Sequence, residues 1–266
     1  MNSNKFEKKE KDLEIYFFFD ELDSTNTAAH RLIESNLCSK NKITIIQSNS
    51  QKKGYGRRGT QWVSVGGNLY VSLIVPISMV KNSVELGMIS AISMTETITH
   101  LFQDQKKRAG DRFFIKWPND WYVINQKILK KIGGQLIEKN EDFLILGVGF
   151  NVKNSPQLID QPTICLDDLG KVINPFFLLH FFLKNFLSLF LSQKPNSFEC
   201  LRQRWLKHAL GYNVENAIMI DDCVDCFTFI DIAKDGALVL FNAKNNTFKR
   251  KYDIERIKFY TPSLIC

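Results

Sequence analysis

The 266-residue chain has few of the residues that most often announce a chemistry. It holds only four histidines, all well separated, which leaves little for an imidazole-rich zinc site, and no His–Ser–Asp arrangement stands out. Of its six cysteines only Cys223 and Cys226 have a paired spacing. A zinc site would want a second pair. A redox pair would want the start of a helix, whereas this one lies in a strand-like run and reads as two partly buried thiols. No apolar run is long and clean enough for a membrane span. The richest, Pro175–Leu191 (PFFLLHFFLKNFLSLFL), is short and carries Lys184. His180, Lys184, Ser188 and Ser192 recur every four residues with Asn185 beside them, the polar stripe of a core helix. Residues 1–11 are charged and have no apolar core, so no secretory signal is expected. With unpaired thiols, that points to the reducing cytoplasm. A Walker-type GxxxxGK[ST], paired catalytic carboxylates, internal repeats and low-complexity linkers are also missing from the sequence.

What is present suits a globular protein: 44% hydrophobic and 24% charged residues, enough to build a sizeable core. The net charge of +7 fits a nucleic acid, a nucleotide or an acidic protein partner without choosing among them. Strand patterns cover residues 13–19, 42–48, 68–76, 112–116, 121–124 and 143–148, and helical patterns cover 27–34, 83–104, 175–192 and 197–209. Gly211 reads as a helix stop. From 213 to 260 short alternating strands take over, with turns expected at 221–222, 234–236 and 244–246. The expected organisation is a disordered basic tail (1–12), a mixed-sheet α+β domain (13–210) and a small all-β domain (211–266).

The residues between Gln47 and Tyr70 (QSNSQKKGYGRRGTQWVSVGGNLY) concentrate the chemistry. Gly54, Gly56 and Gly59 surround Arg57 and Arg58, a composition that suggests a flexible clamp for phosphate or carboxylate. The literal GxGxxG does not qualify as a dinucleotide fingerprint, because no helix opens at its third glycine. Asp23, Ser24, Thr25 and Asn26 are all capping types ahead of a helix, more than a cap alone needs. Pro118 ends a strand at Trp117-Pro118-Asn119-Asp120. Four polar segments, 24–26, 51–62, 116–120 and 130–134, therefore fall at strand ends, where one mixed sheet can present them together. They supply Arg57, Arg58, Lys116 and Lys131 as cations and Asp120 as a metal or ribose partner, while Gly133 and Gly134 permit close backbone approach. Such a set suits a phosphate-bearing ligand.

At these residues the chain resembles the biotin–protein ligases. The resemblance rests on Asp23-Ser24-Thr25-Asn26, Gln51 through Trp62, Gly67-Asn68-Leu69-Tyr70, Lys116-Trp117-Pro118-Asn119-Asp120, Lys131-Ile132-Gly133-Gly134-Gln135-Leu136-Ile137-Glu138 and Gly147 through Asn151, in that order. It is strongest over 20–72 and 115–152. It implies a catalytic domain like those of class II aminoacyl-tRNA synthetases and biotin ligases, with flanking helices and a small C-terminal β-barrel. It also implies a two-step reaction. Biotin and ATP, with Mg²⁺, give biotinyl-5′-AMP, and a lysine of a biotin carboxyl carrier protein then takes the biotin.

By the same resemblance Arg57 and Lys131 are catalytic, holding the carboxylate and α-phosphate. Ser24, Thr25, Asn26, Gln51, Gly54, Tyr55, Gly56 and Gly134 join them around biotin. Arg58, Trp62, Lys116, Asn119 and Asn151 lie around the nucleotide, and no dedicated metal ligands are implied. Tyr55 departs from the family, which usually has arginine there; Lys53 and Gln135 are also unusual. Only a dozen residues precede the first strand, so the helix-turn-helix module of repressor-type relatives is not expected, nor is DNA binding. A monomer or a homodimer in the cytoplasm, without membrane contact, is the implied form. Two alternatives remain: a lipoate ligase or octanoyltransferase on the same fold, and a basic nucleic-acid-binding protein.

Overall fold

The computed structural model describes residues 6–10, 14–103, 112–157, 161–192, 197–220 and 223–251. The first part of the chain runs β1 (Phe6–Glu10), β2 (Glu14–Leu22), α1 (Thr25–Glu34), β3 (Ile43–Gln51), β4 (Leu69–Pro76) and α2 (Ser83–Phe102). β5 (Arg112–Lys116), β6 (Asp120–Asn125), β7 (Ile128–Asn140) and β8 (Phe143–Phe150) follow. Then come α3 (Pro175–Leu191), α4 (Ser197–Leu206), β9 (Glu215–Ile220), β10 (Cys223–Ile232), β11 (Leu238–Asn242) and β12 (Thr247–Lys251). The first eight strands form one mixed sheet in the order β1-β2-β3-β4-β8-β7-β6-β5. Only β2 and β3 pair in parallel, joined through α1. The last four form an antiparallel sheet in the order β12-β11-β10-β9.

Period-2 alternation sorts the sheet's two faces. In β8, Leu144, Leu146, Val148 and Phe150 join the large core under α2, α3 and α4. Phe143 and Ile145 join the smaller core under α1, made with Ala28, Ala29 and Ile33. Gly147 and Gly149 continue that second face without side chains of their own, and Asn26, at the start of α1, and Trp62 pack over them. α2 buries Met88 and Met94, as its pattern predicts, and is capped by Asn82 Oδ1 accepting from Glu85 N at 2.9 Å. On α3 the stripe of His180, Lys184, Ser188 and Ser192 is exposed. Asn185 instead turns toward α2 and donates to Thr97 Oγ1 at 2.8 Å. Among the described residues no helix is long and apolar enough to cross a membrane.

The β6–β7 hairpin turns at Gln126 and Lys127, both with positive φ (50° and 64°). Further along the hairpin the register shifts: Trp121 pairs with Gly133 and Tyr122 with Lys131, leaving Ile132 as the extra residue of a bulge. Ile132 and Gly133 both look into the large core, the latter against the Phe150 ring. The bulge therefore turns Lys131 and Gly134 to the same, opposite face, which plain alternation would forbid.

Three expectations differ from the structure. Residues 6–10, assigned to a disordered tail, form an edge strand whose backbone completes the ladder of β2. Gly211 does lie at positive φ (75°), but α4 has already ended at Leu206, so it turns the chain toward β9 rather than stopping the helix. The C-terminal unit is, over its described residues, a four-stranded sheet rather than a closed barrel. Its turns at 234–236 and 244–246 are as expected, and the one at 221–222 lies outside the described residues, as does the stretch 252–260. Phe227, Phe229, Ile232, Leu238 and Leu240 belong to the same core as Trp117 and Trp205, and Trp117 Nε1 donates to Gly236 O at 3.0 Å.

Candidate active site

The N-terminus of α1 forms one wall. Ser24 occupies the N-cap position, yet its side chain makes no capping hydrogen bond. The cap comes from β3 instead: Gln51 Oε1 accepts from Thr25 N at 2.8 Å and from Thr25 Oγ1 at 3.2 Å. Asp23 pairs with Arg31 and accepts from Ser24 N at 2.8 Å. Ser24, Thr25 and Asn26 are all buried. Asn26 donates to Glu138 Oε2 at 2.7 Å and accepts from Ser72 Oγ at 2.6 Å. Its amide lies where a Gly147 side chain would stand, with Oδ1 only 2.3 Å from the position of a Cβ.

The glycine–arginine segment is an ordered tongue. Gln51 and Ser64 bridge at its base, and Gln51 Nε2 donates to Ser64 Oγ at 2.9 Å. Above them Trp62 N donates to Gly54 O at 2.9 Å, Tyr55 bridges Gln61, and Gly56 N donates to Thr60 O at 2.7 Å. Arg57–Gly59 form a tight 3₁₀ turn at the tip, with Arg58 at φ 56° and Gly59 at φ 71°. One antiparallel ladder of hydrogen bonds thus runs up the segment that the composition suggests as a flexible clamp. Gly54 serves the tongue itself: a Cβ there would meet Ser64 Oγ at 2.5 Å and Trp62 O at 2.6 Å.

Opposite the tongue, β5–β8 supply the charges. Lys131 Nζ lies 2.9 Å from Asp120 Oδ1, both side chains about one-fifth exposed. Its backbone is clamped against residues 162–164, with Lys131 N donating to Pro162 O and Ile164 N to Lys131 O. Lys116 lies half-buried beside them, its ammonium 5.2 Å from the centre of the Tyr122 ring. Burial pushes the Lys116 pKa below the usual lysine value; Asp120 opposes that shift and Lys131 adds to it. Lys130 turns away to Asn125 Oδ1 (3.1 Å), and Lys127 sits in the hairpin turn, so of the three neighbouring lysines Lys131 enters the site. The Trp62 ring lies 5.3 Å from Lys131 Nζ and packs on Gly149, whose Cβ position is 2.6 Å from Nε1. That indole N–H is buried without a hydrogen-bond partner among the described residues.

These walls enclose a cavity of about 530 Å³, in the range of sites for small molecules. Every site residue expected from the sequence lines it except Gly54. Several are committed within the protein. Gln51 is bonded to Thr25 through Oε1 and to Ser64 through one N–H, Asn119 Nδ2 donates to Gln135 O at 2.8 Å, and Asn151 Nδ2 donates to Ile164 O at 3.1 Å. Not expected from the sequence were Gly147 and Gly149 as the floor on which Asn26 and Trp62 pack, Thr163 beside Lys131, and the pairing of Asp120 with Lys131. A strand that alternates apolar residues with glycine (Gly147-Val148-Gly149-Phe150) was the available signal for the first two.

The chain is similar to known proteins in sequence and in fold. A family model described as the biotin/lipoate A/B protein ligase family matches residues 18–151. Biotin–protein ligase 2 of Arabidopsis thaliana is 31% identical over 247 residues, covering 84% of this chain and 72% of that protein. A biotin–[acetyl-CoA-carboxylase] ligase of Mycobacterium tuberculosis is 27% identical over 130 residues, covering 47% of this chain and 46% of that protein. A solved biotin protein ligase of Aquifex aeolicus, in complex with biotin and ATP, superposes with a TM-score of 0.72 at 25% identity, covering 92% of this chain and 97% of that one.

Proposed function

The chain belongs to the biotin/lipoate A/B protein ligase family, and from that premise we propose that it is an ATP-dependent biotin–protein ligase. The observation that carries this reading is the single cavity joining the polar α1 terminus to Arg57, Lys116 and Lys131. A carboxylate that attacks a polyphosphate must have its charge screened, and fixed cations in a partly dry site do this best. In the first step a biotin carboxylate oxygen forms a bond to the α-phosphorus of ATP and pyrophosphate leaves. In the second, a lysine amine of a biotin carboxyl carrier protein attacks the anhydride carbonyl, AMP leaves, and the amine gives up its proton.

In this reading Arg57 and Lys131 hold the carboxylate and α-phosphate, and Arg58 supports their charge. Ser24 and Thr25 face the polar end of biotin, and the Gly134 backbone lies alongside it. Gln51 and Asn26, committed as described, hold the wall rather than the ligand. Lys116, Asn119, Asn151 and Trp62 surround the nucleotide, and the Trp62 N–H gains an acceptor when it is bound. Desolvation disfavours the charged form of Lys116, and a phosphate beside it would offset that cost. No cluster of three or more His, Cys, Asp or Glu is found among the described residues. That donor set fits Mg²⁺ held chiefly by phosphates and water. When bound, the ion neutralises phosphate charge.

The proposal extends to a cytoplasmic enzyme, monomeric or homodimeric, without DNA-binding activity. It places the catalytic unit at 13–210, extended by the edge strand Phe6–Glu10, and a small β unit within 211–266. Incubation with ATP, acceptor carrier protein and either biotin or lipoate tests it. Biotin on the carrier lysine is the expected result, and lipoylation without biotinylation overturns it.

A further inference from the structure

Tyr55 stands where the family usually has arginine, and its surroundings give it a task. Its Oη donates to Glu138 Oε2 at 2.9 Å, a contact between the middle of the tongue and β7, 83 residues further along the chain. The same oxygen accepts from Asn26 Nδ2 at 2.7 Å and lies 3.6 Å from His30 Nε2. Asn140 Nδ2, at 2.8 Å from His30 Nδ1, fits a ring carrying its proton on Nε2, toward that carboxylate. Glu138 is therefore the node at which tongue, α1 and β7 meet. The other backbone ties of the tongue lie at its base, Lys52 N to Leu22 O (2.9 Å) and Lys53 N to Asp23 O (2.8 Å). Higher up, Trp62 rests on Gly149 and the Lys131 ammonium. Burial and Glu138 push the Tyr55 pKa up to about 12, with Thr27 opposing, so the phenol remains a donor through the neutral range.

The geometry points to Tyr55 as a positioning residue that latches the arginine-bearing tongue onto Glu138 before any ligand is bound. The inference rests on the ligase reading only for its consequence. A tongue held shut in advance keeps Arg57 over the cavity without ordering cost at binding, and so retains the reactive adenylate. A hydrogen bond from a neutral donor to a carboxylate does here what an ion pair from the family's usual arginine would do. An arginine at this position is therefore expected to rescue the contact.

Two measurements on the full chain test this with Tyr55→Phe, Tyr55→Arg and Glu138→Gln. The first needs no ligand: hydrogen exchange of the tongue amides (residues 51–64), read by mass spectrometry. Loss of one hydrogen bond to a charged acceptor should speed exchange by roughly tenfold to a hundredfold in Tyr55→Phe, with the rest of the sheet unchanged. Tyr55→Arg should stay within about threefold of wild type, a difference under 1 kcal/mol. The second is the dissociation rate of biotinyl-5′-AMP formed in place, expected to rise in Tyr55→Phe and Glu138→Gln and to recover in Tyr55→Arg. Wild-type exchange in Tyr55→Phe overturns the latch, whatever the enzyme does with biotin. Faster exchange in a protein that forms no adenylate supports the latch and overturns the ligase reading instead.

Discussion

Replacing Lys131 by alanine removes the cation that the bulge at Ile132 aims into the cavity. Two costs follow. Loss of one preorganised donor to developing charge typically lowers turnover by about 10²–10³, or about 3–4 kcal/mol. Asp120, until then paired at 2.9 Å, is left as a carboxylate facing the incoming phosphates. For like charges about 6 Å apart at an effective dielectric of about 20, the repulsion is about 3 kcal/mol. Together the two predict a fall in biotin-dependent pyrophosphate–ATP exchange of about 10⁴–10⁵. Stability should suffer far less. The pair is about one-fifth exposed, so its loss should cost about 1–2 kcal/mol, a drop in melting temperature of roughly 2–8 °C for a chain this long. Adding Asp120→Asn to Lys131→Ala removes the stray charge and should return about a hundredfold of the rate. Exchange within tenfold of wild type in Lys131→Ala would refute the role given to this lysine. A double variant no faster than the single one would refute the electrostatic half of the argument.

Other predictions concern the floor and the frame. Gly147→Ala forces a methyl into Asn26, whose Oδ1 lies 2.3 Å from the Cβ position, and disturbs its bonds to Ser72 and Glu138. A loss of about 2–4 kcal/mol in urea unfolding is expected, whereas Gly66→Ala, with nothing within 4 Å of its Cβ position, should be neutral. Glu96 ties α2 to α4; burial alone would raise its pKa, but the His208 ring 3.9 Å away and the hydrogen bonds from Arg204 outweigh that and lower it to about 2. Its contribution to stability is therefore present above pH 4.5 and lost as pH falls toward 2. Wild type should lose melting temperature over that window more steeply than Glu96→Gln, and parallel curves would contradict the linkage. Lys116 has the opposite kind of shift, a base with a lowered pKa, so its part in stability should grow as pH rises toward the ordinary lysine value of 10.5. Lys116→Met should flatten that rise in denaturation curves.

The sequence made the site's four corners legible because each carries a local reason to stop a strand or open a turn. Pro118 ends β5, glycines and arginines break the pattern after β3, and capping residues crowd the start of α1. What stayed hidden depended on pairing across the sheet. Nothing in Lys131-Ile132-Gly133-Gly134 announces a bulge, because the shift exists only relative to Trp121 and Tyr122. Gln51 reads as a ligand contact until Thr25 and Ser64 are seen to use its amide. Phe6–Glu10, with its run of charges, has no strand signal of its own and is ordered by the open edge of β2. Glu138 gave no local hint of its partner, 83 residues back in the chain.

The strand order carries one more consequence. β1–β4 and β5–β8 are two sequence-contiguous halves, and the sheet joins them only where β4 meets β8. The cavity straddles that seam: α1 and the tongue come from one half, Lys116, Lys131 and Gly147 from the other. Until the seam closes, neither half holds all the walls of the cavity. Substrate should then bind the completed sheet and ignore its parts, so saturating ligand deepens the native well by mass action without rescuing half-built chains. During synthesis, recognition of substrate would begin only after residue 150 has left the ribosome, which makes ligand capture a late and faithful report that the sheet has been finished.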